Sequence, residues 1–213
     1  MVELTTDDET VETIKKWWKE NGTAVIAGLV IGLVAVFGWR AWANHQDQVG
    51  QRASLAFEQT LMAARGGQYD SAAKQAEAVI DAHAKTPYAA LAELTLAKAR
   101  VEQDDLAGAA EALRAAVERA PNPGLAKLAA FRLASVLIAH EAFDEALAVI
   151  ERHDDEGALS ADFAGLRGDI ALAKGEIADA RAAYAAAIAG GAGLSRLIEL
   201  KLQDLPAATD SPS

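Results

Sequence analysis

Two hydrophobic patterns divide this chain. From residue 21 to residue 39 the run NGTAVIAGLVIGLVAVFGW carries no Asp, Glu, Lys or Arg. As a helix it spans roughly 28 Å, close to the hydrocarbon thickness of a bilayer. Further along, apolar positions recur at helical spacing and are mostly Ala and Leu, both strong helix formers. No alternating strand pattern accompanies them. Breakers punctuate the second region at Gly66-Gly67, Pro87, Pro121-Asn122-Pro123-Gly124, Gly157, Gly175 and Gly190-Gly191-Ala192-Gly193. The predicted class is all-α, with a single N-terminal transmembrane helix followed by a helical-repeat domain. The predicted divisions are an N-terminal segment at 1–20, the membrane helix at 21–43, the repeat domain at 44–205 and a disordered tail at 206–213.

All four tryptophans bracket the apolar run: Trp17 and Trp18 before it, Trp39 and Trp42 after it. Indole favours the headgroup zone, where its ring is sheltered and its N–H meets polar partners. Trp17, Trp18, Trp39, Arg40 and Trp42 are therefore the expected membrane-interface residues. A core helix of a soluble protein would leave these brackets unexplained. A cleaved signal peptide is the stronger competitor, since Ala41-Trp42-Ala43 has the small-x-small form of a cleavage site. Against it, the run exceeds a signal core, and Trp39 and Arg40 crowd the site. Lys15, Lys16 and Lys19 precede the span, whereas Arg40 and Arg52 follow it. That bias places the N-terminus in the cytoplasm and the large domain outside it. Within the span, Ala24, Gly28 and Gly32 recur at i+4, a small-residue face on which another helix could pack closely. Ahead of it, Thr6-Asp7-Asp8-Glu9 has the form of a capping box. It predicts an interfacial helix that ends at Asn21-Gly22.

Four segments in the second region share an apolar-x-x-Ala start: Tyr69-Asp70-Ser71-Ala72, Leu106-Ala107-Gly108-Ala109, Phe143-Asp144-Glu145-Ala146 and Ile177-Ala178-Asp179-Ala180. Successive first residues lie 37, 37 and 34 apart. Pro87 and Pro121 are themselves separated by 34, a helix-turn-helix period. Upstream stand the matching first-helix signals Leu96-Ala97, Leu133-Ala134 and Arg167-Gly168. The alanines mark positions where paired helices cross closely. These residues resemble the tetratricopeptide repeat, with four units over about 53–193 and a capping helix over about 194–205. That geometry puts Phe57, Leu94, Phe131 and Gly165 at equivalent positions of a partner groove, with Lys98, Ser135 and Asp169 at another. The competing assignment buries the apolar ones between helices.

Chemistry-bearing patterns are sparse. His45, His83, His140 and His153 form no ligand pair at helical spacing. The absence of cysteine excludes disulfides, zinc-thiolate sites and cysteine catalysis. Asp104-Asp105 and Asp154-Asp155-Glu156 lack the spacing of a calcium loop. The cluster at 190–193 follows a helix, so it reads as a chain reversal rather than a phosphate cradle. Catalysis, cofactors, metals and small-molecule substrates are not expected. A net charge of −11 disfavours nucleic acid as a partner.

A further resemblance runs nearly end to end. It is carried by ETIKKWWKENG at 12–22, Gly38-Trp39-Arg40-Ala41-Trp42 with His45-Gln46, and Ala53-Ser54-Leu55-Ala56-Phe57. YAALAEL at 88–94, Leu166-Arg167-Gly168-Asp169 and ELKLQDL at 199–205 extend it. The chain resembles the YfgM-type ancillary subunits of the SecYEG translocon. The resemblance implies a single-pass protein of the bacterial inner membrane with a periplasmic repeat domain. It also implies as partners the SecYEG translocon, a PpiD-type periplasmic chaperone and secreted polypeptide clients. The high alanine content and the tail after Pro206 depart from the family pattern. Two other classes compete: a scaffold that tethers envelope proteins without touching clients, and an enzyme with an unrecognised site. An apolar groove would separate client binding from tethering, and a pocket of convergent acids or histidines would revive the enzyme.

Overall fold

A computed structural model describes residues 5–155 and 157–206. The described residues form nine α-helices and no strand. The chain divides into two compact units, Met1–Gln51 and Arg52–Ser213.

The first helix, α1 (Thr5–Arg65), is continuous. The expected stop at Asn21-Gly22 does not occur. Both residues are weak helix formers, each costing up to about 1 kcal/mol relative to Ala. Their neighbours offset this. Asn21 Nδ2 donates to the Trp17 carbonyl at 3.1 Å. The Trp18 indole lies over Gly22, 3.3 Å from where a Cβ would stand. The side chains of the proposed capping box at 6–9 lie outside the described residues.

Seven helices follow in pairs with the end of α1: α2 (Tyr69–Ala82), α3 (Pro87–Val101), α4 (Leu106–Arg119), α5 (Pro123–Ala139), α6 (Phe143–His153), α7 (Ser160–Ala173) and α8 (Ile177–Ala189). A last helix, α9 (Ser195–Asp204), packs on α8. Each apolar-x-x-Ala segment opens the second helix of a pair. Its alanine is fully buried in all four cases: Ala72, Ala109, Ala146 and Ala180 each show 0% exposure. The register predicted from sequence is therefore the structural one.

The turn inside each pair repeats as well. Gly67, Asp104, Glu141 and Gly175 occupy the same position and all have positive φ, from 60° to 78°. The next residue donates its N–H five residues back in each turn: Gln68 to Ala63, Asp105 to Arg100, Ala142 to Leu137 and Glu176 to Ala171. This is the left-handed helix end that glycine favours, adopted twice here by a carboxylate residue. Proline spacing needs a correction. Pro87 and Pro123 each take the first position of a helix, whereas Pro121 lies before the Asn122 cap and outside α5. The separation of 34 from Pro121 was a coincidence of the PNP sequence.

Size complementarity tunes the core. The equivalent positions on the first and second helices of a pair are Thr60 with Ala76, Ala97 with Leu113, Ala134 with Ile150 and Gly168 with Tyr184. All eight are buried. The smallest residue of the first set stands against the largest of the second. A Cβ on Gly168 would lie 2.4 Å from Tyr184 Cδ1. Thr60 satisfies its hydroxyl by donating to the Ala56 carbonyl at 3.0 Å.

Candidate functional site

The apolar part of α1 has the surface of a membrane span. Only 6% of its most apolar stretch is buried, and Val25, Ile26, Leu29, Val30, Ile31, Val34 and Phe37 are all exposed. A soluble core helix would hide these side chains. Ala41-Trp42-Ala43 sits inside the continuous helix, which opposes its use as a cleavage site. Trp17 and Trp18 lie 6.5 Å apart between ring centroids, and Trp39 and Trp42 lie 5.1 Å apart. All four are more than half exposed. Trp18 and Trp39 are separated by roughly 32 Å of helix, so the two pairs match the two faces of a bilayer. Ala24, Gly28 and Gly32 lie along one helical face. A Cβ at Gly28 or Gly32 would meet nothing within 4 Å, so the face is open.

In the repeat unit, Leu94 and Lys98 of α3 meet Ser135 of α5 at a hollow of about 330 Å³. Ala97, Val101, Leu113, Arg132 and Val136 complete its lining. Three of the six predicted groove residues thus come together. The others go elsewhere. Phe131 stacks edge-on against Phe163 at 5.8 Å between centroids, filling the space between α5 and α7. Phe57 contacts Tyr88 at 6.0 Å, at the junction of α1 and α3. Both serve inter-helix packing. Gly165, at the same repeat position, packs under Ile198 of α9.

Asp169 is a fastening point. Its Oδ1 accepts from the Tyr184 hydroxyl and from Lys201 Nζ, both at 2.6 Å. One carboxylate thereby ties α7 to α8 and to the capping helix. Burial, then the Asp169 hydrogen bond and charge, push the Tyr184 phenol above its usual range. Sequence reading could not see the Lys201 partner, thirty-two residues away. Arg132 was also missed, although a signal existed: it is the one formal charge between Lys127 and Glu141.

Other polar groups stitch neighbouring repeats. Arg100 pairs with Glu77 at 3.4 Å, Lys174 with Asp144 at 3.1 Å, and Arg114 with Glu145. Glu93 is nearly buried, with Arg119 at 3.4 Å. Burial pushes its carboxyl up, against the opposing pull of Arg119 and Arg100. The His153 imidazole is pushed down by burial, then by Arg152 and Lys127. Among the described residues no group of three or more His, Asp or Glu could hold a metal ion.

The tetratricopeptide repeat-like domain model matches residues 15–207 of this chain. The ancillary SecYEG translocon subunit of Escherichia coli strain K12 is 32% identical over 201 residues, covering 93% of this chain and 96% of the relative. This chain belongs to the ancillary SecYEG translocon subunit family. The Haemophilus influenzae member is 31% identical over 202 residues, and that of Aggregatibacter actinomycetemcomitans is 34% identical over 202. Each of these two matches covers 93% of this chain and 97% of the relative. The match to the repeat-like domain extends through the apolar segment of α1 and to the end of α9. Among its described residues, this family member therefore combines a single N-terminal membrane helix with four helix pairs and a capping helix.

Proposed function

We propose that this chain is a non-catalytic adaptor, tethered by α1 beside the protein-export channel of the inner membrane. The observation that carries the proposal is the near full-length match to three ancillary translocon subunits, in a chain whose N-terminal apolar span leads into a repeat array. The N-terminus lies in the cytoplasm and the repeat unit in the periplasm. Supporting this orientation, Lys15, Lys16 and Lys19 precede the span. The anchor packs on the channel or on a second copy through Ala24, Gly28 and Gly32, where small side chains permit close backbone approach. The repeat unit holds a periplasmic chaperone of the PpiD type or an emerging polypeptide. The apolar lining of the α3–α5 hollow supports contact with a partner segment over a purely polar tether.

Photo-crosslinking in intact cells tests this reading. A crosslinker at Ser135, on the hollow, should capture channel subunits, chaperone or secreted chains. One at Lys74, exposed on α2, should not. Equal capture from both positions, or none from Ser135, would count against a binding role for the hollow.

A further inference from the structure

We infer that the α3–α5 hollow binds an extended protein segment in which an apolar side chain is flanked by carboxylates. This rests on the reading of the repeat unit as the partner-binding part of the molecule. The apolar lining of the hollow is Leu94, Ala97, Val101, Leu113 and Val136. Its polar lining is Lys98, Arg132 and Ser135, with no carboxylate among them. The distribution of cations on the two helices is selective. Arg100 on α3 is paired with Glu77, and Lys127 on α5 is paired with Asp155. Lys98 and Arg132 are exposed and make no ion pair among the described residues. Both unpaired cations of α3 and α5 therefore line one apolar hollow, in a chain with 31 acidic and 20 basic residues.

The charge pattern also selects the class of ligand. An apolar side chain entering the hollow removes water from beside two cations. That strengthens their attraction for carboxylates on the same segment, and the Arg132 guanidinium can engage one through two parallel bonds. A nucleic acid or an anionic bilayer would extend its charge past this two-cation footprint into the field of a chain at −11. A short acidic and apolar protein segment does not.

The test uses the full chain in detergent micelles and three labelled peptides capped at both ends. One carries Leu flanked by Asp, one replaces each Asp with Lys, and one replaces Leu with Ser. Fluorescence anisotropy should show the Asp-Leu peptide binding at least about ten-fold tighter than either control. In Lys98→Glu/Arg132→Glu its affinity should fall by about ten-fold or more, while the Lys-bearing peptide should gain. If that variant fails to fold, Lys98→Gln/Arg132→Gln should still lose the preference for Asp over Lys. Equal binding of the three peptides, no binding, or an unchanged preference in the charge variants would overturn the inference. Co-purification of channel subunits with the unmodified chain separates the two readings. Its persistence without peptide discrimination removes only the hollow assignment, and its absence removes the adaptor reading itself.

Discussion

Replacing Gly168 with Ala tests the size-complementary core where it is tightest. The added methyl would stand 2.4 Å from Tyr184 Cδ1 and 2.5 Å from Cε1, well inside contact distance. The ring has little freedom to withdraw. It is fully buried, and its hydroxyl is held by Asp169 at 2.6 Å. The cost should therefore reach the upper end for overpacking, about 3 kcal/mol. For a domain of this size that lowers the melting temperature by roughly 6–12 °C. Tyr184→Leu alone leaves a cavity and removes the hydroxyl bond, a loss of about 2–4 kcal/mol. The double variant reproduces the Ala97 with Leu113 pairing found in α3 and α4. It should be no less stable than Tyr184→Leu, which requires a favourable coupling of about 3 kcal/mol, equal to the whole Gly168→Ala cost. Thermal unfolding of the full chain in detergent, followed by circular dichroism, measures all four species. Simple additivity, or a Gly168→Ala chain as stable as its parent, would refute the size-matching argument.

Three further outcomes are expected. Glu141 holds φ at 61° without glycine's freedom, so Glu141→Gly should stabilise by about 0.5–1 kcal/mol and Gly175→Ala should destabilise by a similar amount, both read by thermal melting. Ala109→Leu or Ala146→Leu should each cost about 1–3 kcal/mol, and unchanged stability would mean that these helices do not cross there. For Glu93, the folded chain retains a proton that the unfolded chain has lost, over a window that opens near the ordinary Glu value of about 4.3 and closes at the raised one. Stability conferred by protonated Glu93 thus falls as pH rises through that window. Glu93→Gln escapes this fall and should gain on the parent between acid and neutral pH, whereas a widening deficit would mean that the Arg119 pair outweighs burial.

The repeat register was legible because close helix crossings demand alanine at fixed spacing, as at Ala72, Ala109, Ala146 and Ala180. The left-handed turns were half legible. Gly67 and Gly175 announce them, but Asp104 and Glu141 do not, since the turn bonds hold these residues in a conformation their side chains disfavour. Proline spacing misled because either proline of PNP could open a helix by its own rules, and only the Asn122 cap, accepting from Leu125 N–H at 2.9 Å, selects Pro123. The continuity of α1 through Asn21-Gly22 depends on Trp17 and Trp18, a local compensation that propensity alone overlooks. Groove assignment was least legible. Phe57, Leu94 and Phe131 share one helical register, yet Phe131 turns to Phe163 and Phe57 to Tyr88. Which face of a repeat helix stays open depends on the neighbouring helix, and one-dimensional spacing does not contain it.

Affinity purification of the full chain from gently solubilised inner membranes, read by mass spectrometry, tests the central claim most directly. Channel subunits should co-purify with a chain that still yields peptides from α1 upstream of Asn44. A mature chain beginning near Asn44, or a retained anchor that brings down no channel subunit, would contradict that claim.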